Sequence, residues 1–461
     1  MAVDARPRLG PFERLLRRAH RRRQRDRRAL AVGAALPPAD ADRLADALEG
    51  VLLQREPVAR RAEAAAILEA YTTLNAEGRR RFFERLAQQF ATVADDVDHA
   101  LAAMAGAGSP TERVDAERQL RRALTPRYAR LFHVFTGLPN GVKLLVDLRA
   151  DLLACRGSDP ALRGIDDELA AHLSTVFDVG LLQLHRITWE SPAALLEKLI
   201  AYEAVHEIRS WDELKHRLHG SQRCFAFLHP AMPDEPLVFV EVALTHGLAG
   251  DMSALLGPGD GADGVEEPGS GEASEEDTAI FYSITSCQPG LAGVQLGNEL
   301  IKHVVEQLRR DLPGLRVFAT LSPIPGFRRW ADTQLAEGRL TPGELAALGG
   351  EPGKVAARLA AGRLEELGEG TRTALMSMCA RYLTTRRNGR SADSVANFHL
   401  SNGARIERLH WRANTAPYEI ERSYGIMVNY RYDPGSIAAN AEAYLRAGHI
   451  QATSQVRDLV R

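Results

Sequence analysis

The sequence predicts an all-helical N-terminal domain followed by a mixed α/β domain. Three observations carry this reading. Apolar residues recur at three- and four-residue steps from about 40 to 190, strand-like apolar runs crowd in only after 190, and one of those runs is followed by a glycine-spaced loop, an amphipathic helix and a second strand. At 461 residues the chain is longer than a single hydrophobic core usually organises, which fits two domains. The expected organisation is an Arg-rich tail over 1–39, a helical domain over 40–185 and a mixed α/β domain over 186–461.

The helical half is read from its spacing. Leu44, Leu48, Val51 and Leu52 form one stripe, Ala64, Ile67, Leu68 and Tyr71 a second, and Phe82, Leu86, Phe90 and Val93 a third. The stretches 106–110 and 137–141, rich in Gly and Pro, punctuate the helices. Nothing in this half groups chemically active side chains, so it is expected to serve structure or homo-oligomerisation. The second half changes texture. Residues 224–228 and 236–244 read as two buried strands joined by a hairpin across 230–235. Residues 257–276 are acidic and nearly without apolar side chains, as in a mobile excursion. Residues 279–285 form a strand, 289–298 the glycine-spaced loop, 299–312 a helix with Leu300, Ile301, Val304, Val305 and Leu308 on one face, and 315–321 the next strand. Helix returns over 335–390, and 405–411 and 425–432 read as strands.

Composition excludes more than it assigns. Hydrophobic residues at 45%, charged residues at 26% and a net charge of −2 are ordinary for a globular protein and give no overall pull toward nucleic acid or an anionic membrane. No apolar run approaches the roughly 20 residues that span a bilayer. Cys155, Cys224, Cys287 and Cys379 are far apart and lack CxxC spacing, which argues against a zinc or redox motif and favours free thiols in the cytosol. Residues 1–30 hold eleven arginines against Asp4, Glu13 and Asp26. The segment lacks the serines of a transit peptide, and a solvated tail is the simpler reading.

Three features carry chemistry. Gly290, Gly293 and Gly297 let backbone N–H groups approach a phosphate at a helix N-terminus, although the spacing matches neither a dinucleotide fold nor a Walker loop, and a close-packed turn stays open. Ser322 ends an apolar strand and is braced by Pro323, Pro325 and Gly326, which suits either a stiff turn or a pre-organised reactive hydroxyl. His399 precedes Asn402-Gly403, a strong helix-stop signal. A histidine in a last helical turn has its cationic form favoured, as a proton donor requires, while a capping or core histidine stays open. Arg328 and Arg329 follow Ser322 and offer charge to an anionic ligand, or simply sit at the surface.

Taken together, GLAGVQLGNELIK (290–302), LSPIPGF, NFHLSNGA and GIMVNYRY resemble the malonyl-CoA decarboxylase family, with support from residues 186–192, 203–206 and the strand pair at 224–244. The resemblance implies a helical domain followed by an acetyltransferase-like (GNAT-type) mixed α/β catalytic domain. It implies decarboxylation of malonyl-CoA to acetyl-CoA and carbon dioxide with no metal or organic cofactor, coenzyme A being part of the substrate. It places Ser322, His399 and Tyr432 in the active site, and Ala292, Gly293, Val294, Gln295, Leu296, Gly297 and Asn298, with Ser322 and His399, against the substrate. One departure stands out: Gln295 occupies a position where family members can carry Glu. The chemistry expected is loss of carbon dioxide to a thioester enolate, with His399 giving the proton that ends on the α-carbon and Ser322 orienting the carboxylate and accepting or relaying a proton. Two rivals remain: an acyl-CoA acyltransferase on the same fold, and a nonenzymatic nucleic-acid module using the Arg-rich tail, which leaves the glycine loop and Ser322 unexplained.

Overall fold

The computed structural model describes residues 30–257, 276–294, 296–360 and 368–460. The Arg-rich segment and most of the acidic excursion therefore lie outside the described residues, as does Gln295. By internal contacts the chain divides into two compact units. The first contains the described residues up to Leu182 together with His229–Pro233 and Gln288–Val294. The second contains Gln183–Leu228, Asp234–Cys287 and the described residues from Leu296 onward.

Eight α-helices make up the first unit among its described residues: Pro38–Leu53, Pro57–Thr72, Ala76–Phe90, Ala94–Gly106, Pro110–Leu124, Arg127–Thr136, Gly141–Cys155 and Pro160–Val176. Proline opens four of them, where its missing N–H costs nothing and its fixed φ is already helical. Ser109 and Glu112 close a reciprocal capping box on the fifth. The stripes read from the sequence are buried: Leu44, Leu48, Val51, Ile67, Leu68, Phe82, Leu86 and Phe90 all face the core. Tyr71, Phe82 and Phe83 meet edge to face within it. Val93, closing the third stripe, is instead exposed and caps the fourth helix.

The second unit is built on one sheet. Its strands are β1 (Gln183–Ile187), β2 (Gln222–Leu228), β3 (Val238–Thr245), β4 (Thr278–Ser286), β5 (Val317–Thr320), β6 (Ser322–Pro323), β9 (Arg405–His410) and β10 (Met427–Tyr432); β7 (Arg386–Arg387) and β8 (Arg390–Ser391) form a separate ribbon. The order runs β1-β2-β3-β4-β5-β10, with β6 and β9 also pairing with β10. β2 and β3 form the expected antiparallel hairpin. β4 and β5 are parallel, and the helix Leu296–Asp311 supplies the crossover that parallel pairing needs. Its apolar face is buried as predicted, through Leu300, Ile301, Val304, Val305 and Leu308. The helix begins at Leu296, one turn earlier than its periodicity suggested. The stretch read as helix over 335–390 contains the helices Pro342–Ala347, Pro352–Ala360 and Glu369–Thr384. None of the described helices is long and apolar enough to cross a membrane.

The sheet is irregular in two places. The β4–β5 pairing ends at Phe281 and Thr320, and beyond it β4 runs on to Ser286 paired with β3 alone. β10 pairs with β5 at Ala319 and Phe318 and with β6 at Ser322 and Pro323, but the ladder is interrupted between them, and β10 carries a bulge against β9 at Asn429/Tyr430. Bulges re-aim side chains and end pairing next to sites of chemistry.

Candidate active site

Ser322 sits where the sequence placed it, at the carboxyl end of a strand that follows a crossover helix. There, in an open α/β sheet, ligands gather. It is buried, at 6% exposure. Pro323 pairs with Met427 and keeps the serine extended against Val428.

His399 lies in the last turn of the helix Ser394–Ser401. Asp393 caps the start of that helix by accepting from the Ala396 N–H at 2.9 Å. At its end the Ala404 N–H returns to the His399 carbonyl at 3.1 Å. Gly403 adopts φ +82°, and a Cβ there would fall 2.0 Å from the Ile437 carbonyl oxygen, so only glycine closes this helix.

The geometry joins these residues in one buried chain. The Tyr432 hydroxyl lies 2.8 Å from His399 Nδ1, and His399 Nε2 lies 3.2 Å from Ser322 Oγ. The Ser322 hydroxyl donates to Thr320 Oγ1 at 2.8 Å. Because that proton points at Thr320, Ser322 Oγ offers lone pairs to the imidazole. His399 therefore carries its proton on Nε2, and Nδ1 accepts from Tyr432. Tyr430 stacks on the His399 ring, centroids 4.5 Å apart and planes 22° from parallel. Thus Ser322, His399 and Tyr432 come together as the motifs suggested. Thr320 and Tyr430 were not singled out in the sequence. A signal existed for both: each lies two residues before a named site residue on the same strand run, and alternate residues share a face.

The electrostatics correct one expectation. The helix C-terminus was expected to favour the cationic imidazole, but burial pushes the His399 pKa down to about 3. Desolvation is the cause, with no opposing charge beside the ring among the described residues, and the last-turn carbonyl of His399 is already taken by Asn402 and Ala404 N–H groups. The resting imidazole is neutral. Burial likewise drives the Tyr432 phenol above its ordinary range, so Tyr432 keeps its proton and acts as a donor.

This fixes the sign of a stability effect. In the unfolded chain a histidine takes its proton near 6.5, whereas His399 in the fold does so only near 3. Between these values the unfolded state binds more protons, so the contribution of neutral His399 is full above 6.5 and fades as pH falls toward 3. A His399→Gln variant is expected to lose stability less steeply between pH 6.5 and pH 4 than the parent, measured by urea titrations at each pH.

Other expected residues fall into place differently. Arg328 is not available to an anionic ligand: it donates to the Ile420 carbonyl at 3.2 Å, pairs with Asp332 at 3.7 Å and lies 5.0 Å over the Tyr424 ring. Arg329 is exposed. In the 203–206 stretch, the Glu203 carboxylate accepts from Ser283 Oγ at 2.9 and 2.8 Å and from the Val205 and His206 N–H groups, pinning a loop to β4 rather than facing the serine.

The glycine segment is held by geometry rather than by sequence habit. A Cβ on Gly290 would sit 1.8 Å from the Val146 carbonyl oxygen, and Gly293 has φ +85°. Both positions exclude larger residues, and Gly290→Ala is expected to lower the melting temperature in a thermal scan by forcing the segment off the Gly141–Cys155 helix. Arg149 holds the same segment, donating to the Gly290 carbonyl at 2.7 Å and the Ala292 carbonyl at 2.8 Å. Ala292 and Val294 belong to this segment and donate their N–H groups to the Pro289 and Leu291 carbonyls at 3.1 and 2.9 Å. Leu296 is buried in the helix that follows, and Gly297 lets that helix pack on Phe398, the neighbour of His399, a Cβ there standing 3.2 Å from the ring. Gln295 and the Asn298 side chain lie outside the described positions.

Comparison with known proteins gives this geometry a context. The malonyl-CoA decarboxylase C-terminal domain matches residues 180–461, and the malonyl-CoA decarboxylase N-terminal domain matches residues 90–177. The chain belongs to the malonyl-CoA decarboxylase family. Relatives named malonyl-CoA decarboxylase, mitochondrial, include one from Rattus norvegicus, 36% identical over 443 residues, covering 89% of this chain and 87% of the relative. Another, from Anser anser anser, is 38% identical over 368 residues, covering 75% of this chain and 72% of the relative. The crystal structure of malonyl-CoA decarboxylase from Rhodopseudomonas palustris superposes with a TM-score of 0.78 at 36% identity, over 91% of this chain and 99% of that one. That from Agrobacterium vitis gives 0.78 at 37%, with the same coverage of 91% and 99%. Within the malonyl-CoA decarboxylase family, the helical region followed by a mixed α/β sheet is thus a shared architecture.

Proposed function

We propose that this chain decarboxylates malonyl-CoA to acetyl-CoA and carbon dioxide through a thioester enolate, using Ser322, His399 and Tyr432 as a proton path. The observation that carries the reading is the unbroken chain Tyr432–His399–Ser322, buried at the end of β5 in a member of this family. The second unit is read as an acetyltransferase-like domain. Its parallel β4–β5 pair stops at Phe281 and Thr320, which leaves a strand edge where an extended thiol arm with amide groups can lie. Backbone N–H groups at the start of the Leu296–Asp311 helix then suit the anionic end of coenzyme A.

The bond between the α-carbon and the carboxylate carbon breaks, and its electron pair enters the thioester as an enolate while carbon dioxide leaves. The thioester is its own electron sink, so the reaction asks the protein only for orientation, desolvation and a proton. The enolate carbon is basic enough to take that proton from a neutral acid. The Ser322 hydroxyl gives it, Ser322 regains one from His399 Nε2, and His399 takes one at Nδ1 from Tyr432; once solvent has reprotonated Tyr432, the imidazole returns from its Nδ1–H to its Nε2–H tautomer before the next turnover. A resting imidazole that is neutral and protonated on Nε2 suits this sense of transfer. His399 is thus a proton relay, rather than a standing imidazolium.

Self-association through the helical unit is part of the proposal, and the exposed Val93, Leu101, Val114 and Leu124 support it. A cytosolic site remains the reading of the free cysteines, while two relatives carry mitochondrial names. The deciding experiment incubates purified protein with malonyl-CoA and no acceptor and follows acetyl-CoA and carbon dioxide. Their formation is expected. Product only after an amine is added would replace decarboxylation with acyl transfer.

A further inference from the structure

We infer that Thr320 is a positioning residue that sets the direction of proton flow through Ser322, His399 and Tyr432; the inference rests on the catalytic reading above. Thr320 is fully buried. Its Oγ1 accepts from the Ser322 hydroxyl at 2.8 Å and from the Tyr430 N–H at 3.2 Å. The second of these bonds replaces a ladder bond that is missing from the interrupted pairing of β10 with β5 and β6. The backbone of Thr320 is clamped as well. Asn429, on the β10 bulge, donates its amide to the Thr320 carbonyl at 2.7 Å and to the Ala249 carbonyl at 3.0 Å. His410 Nε2 lies 2.6 Å from Asn429 Oδ1, and since that oxygen only accepts, the amide can point no other way. A Cβ on Gly250 would stand 2.2 Å from His410 Nδ1, so glycine there leaves the room that the ring occupies. Thr320 is therefore fixed in both its backbone and its hydroxyl.

The consequence lies in which way the chain runs. With the Ser322 proton on Thr320, the imidazole must offer Nε2–H to Ser322 and accept at Nδ1 from Tyr432. The phenol and ring protons are then each one step from moving toward the serine, and the serine proton has only to turn from Thr320 to the substrate. Without Thr320 Oγ1, His399 Nε2, 3.2 Å away, is the remaining side-chain partner of Ser322 Oγ among the described residues. The ring proton then belongs on Nδ1, facing Tyr432, and the chain runs from serine into the protein. Ser322 in that state cannot deliver a proton to carbon without first reversing two bonds.

The test is the tautomer of His399, read from ring ¹⁵N shifts of histidine-labelled protein assigned with a His399→Gln control, together with steady-state kinetics. The parent is expected to carry its proton on Nε2. Thr320→Val is expected to move it to Nδ1 and to lower kcat about tenfold or more with KM for malonyl-CoA nearly unchanged, and Thr320→Ser to restore both. An Nδ1–H tautomer in the parent overturns the inference, and this needs no variant to fold. So does Thr320→Val that keeps Nε2–H, whatever its rate, since Oγ1 would then merely satisfy the Tyr430 N–H. A switched tautomer with unchanged kcat overturns it as well. The tautomer measurement requires no turnover, so a parent that makes no acetyl-CoA would defeat the catalytic reading separately.

Discussion

Ser322→Ala and His399→Gln are each expected to cut malonyl-CoA turnover by about 10²–10⁴-fold, the range that positioned proton transfer supplies. The loss should fall on kcat, because both groups act after the substrate is seated, and KM should change little. On the proposed function Ser322→Ala removes the proton-delivering hydroxyl, while His399→Gln keeps a polar side chain but cannot take a proton at one nitrogen as it gives one from the other. Since they belong to one chain at 3.2 Å, the double variant should be hardly slower than the worse single one. Near-additive losses would mean two independent roles and would break the relay. The neutral resting state of His399 adds a pH signature: the kcat/KM profile should show no acid limb near 6.5, because the free enzyme's imidazole takes its proton only near 3. An acid limb near 6.5 that vanishes in His399→Gln would restore the cationic donor.

How much of this was legible in the sequence can be argued residue by residue. Leu300, Ile301, Val304, Val305 and Leu308 announced a helix whose buried face the structure retains, because burial of an apolar stripe dominates everything else on that segment. Gly403 announced the end of the helix under His399, because a left-handed residue pressed against a carbonyl admits nothing larger. The protonation of His399 was not legible. Helix position argued for a cation, worth up to about 2 kcal/mol in partly buried sites, but the sequence does not say that Tyr430 and the sheet will seal the ring from water. Thr320 and Asn429 were hidden for a related reason. Their roles come from a bulge and an interrupted ladder, which depend on how β10 meets two partners at once, and no local pattern encodes that. Arg328 was left between a ligand contact and surface charge, and the structure places it over a ring and against a carbonyl, partners that no local pattern announces.

The second large effect is expected at Arg149, which no motif singled out. Its guanidinium is buried at 5% exposure, on the helix Gly141–Cys155. Nε donates to Asp166 at 2.8 Å on the next helix, and Nη1 forks to the carbonyls of Gly290 and Ala292. One side chain thus joins two helices to the glycine segment. Arg149→Met would remove the guanidinium donor from the buried Gly290 carbonyl and the part-buried Ala292 carbonyl, and leave the Asp166 carboxylate with the longer contact to Arg156 at 3.4 Å. Breaking a buried pair on one side costs about 3–5 kcal/mol, because the surviving charge loses its compensation. That loss should appear as a fall in the denaturant midpoint of the helical unit, without a matching change in slope. Arg149→Lys should recover little, since a point charge cannot serve a carboxylate and two carbonyls in one plane. Arg149→Met combined with Asp166→Leu should recover more, since it removes the stranded charge as well. A midpoint shift worth less than about 1 kcal/mol would show that the helices hold the segment without this arginine.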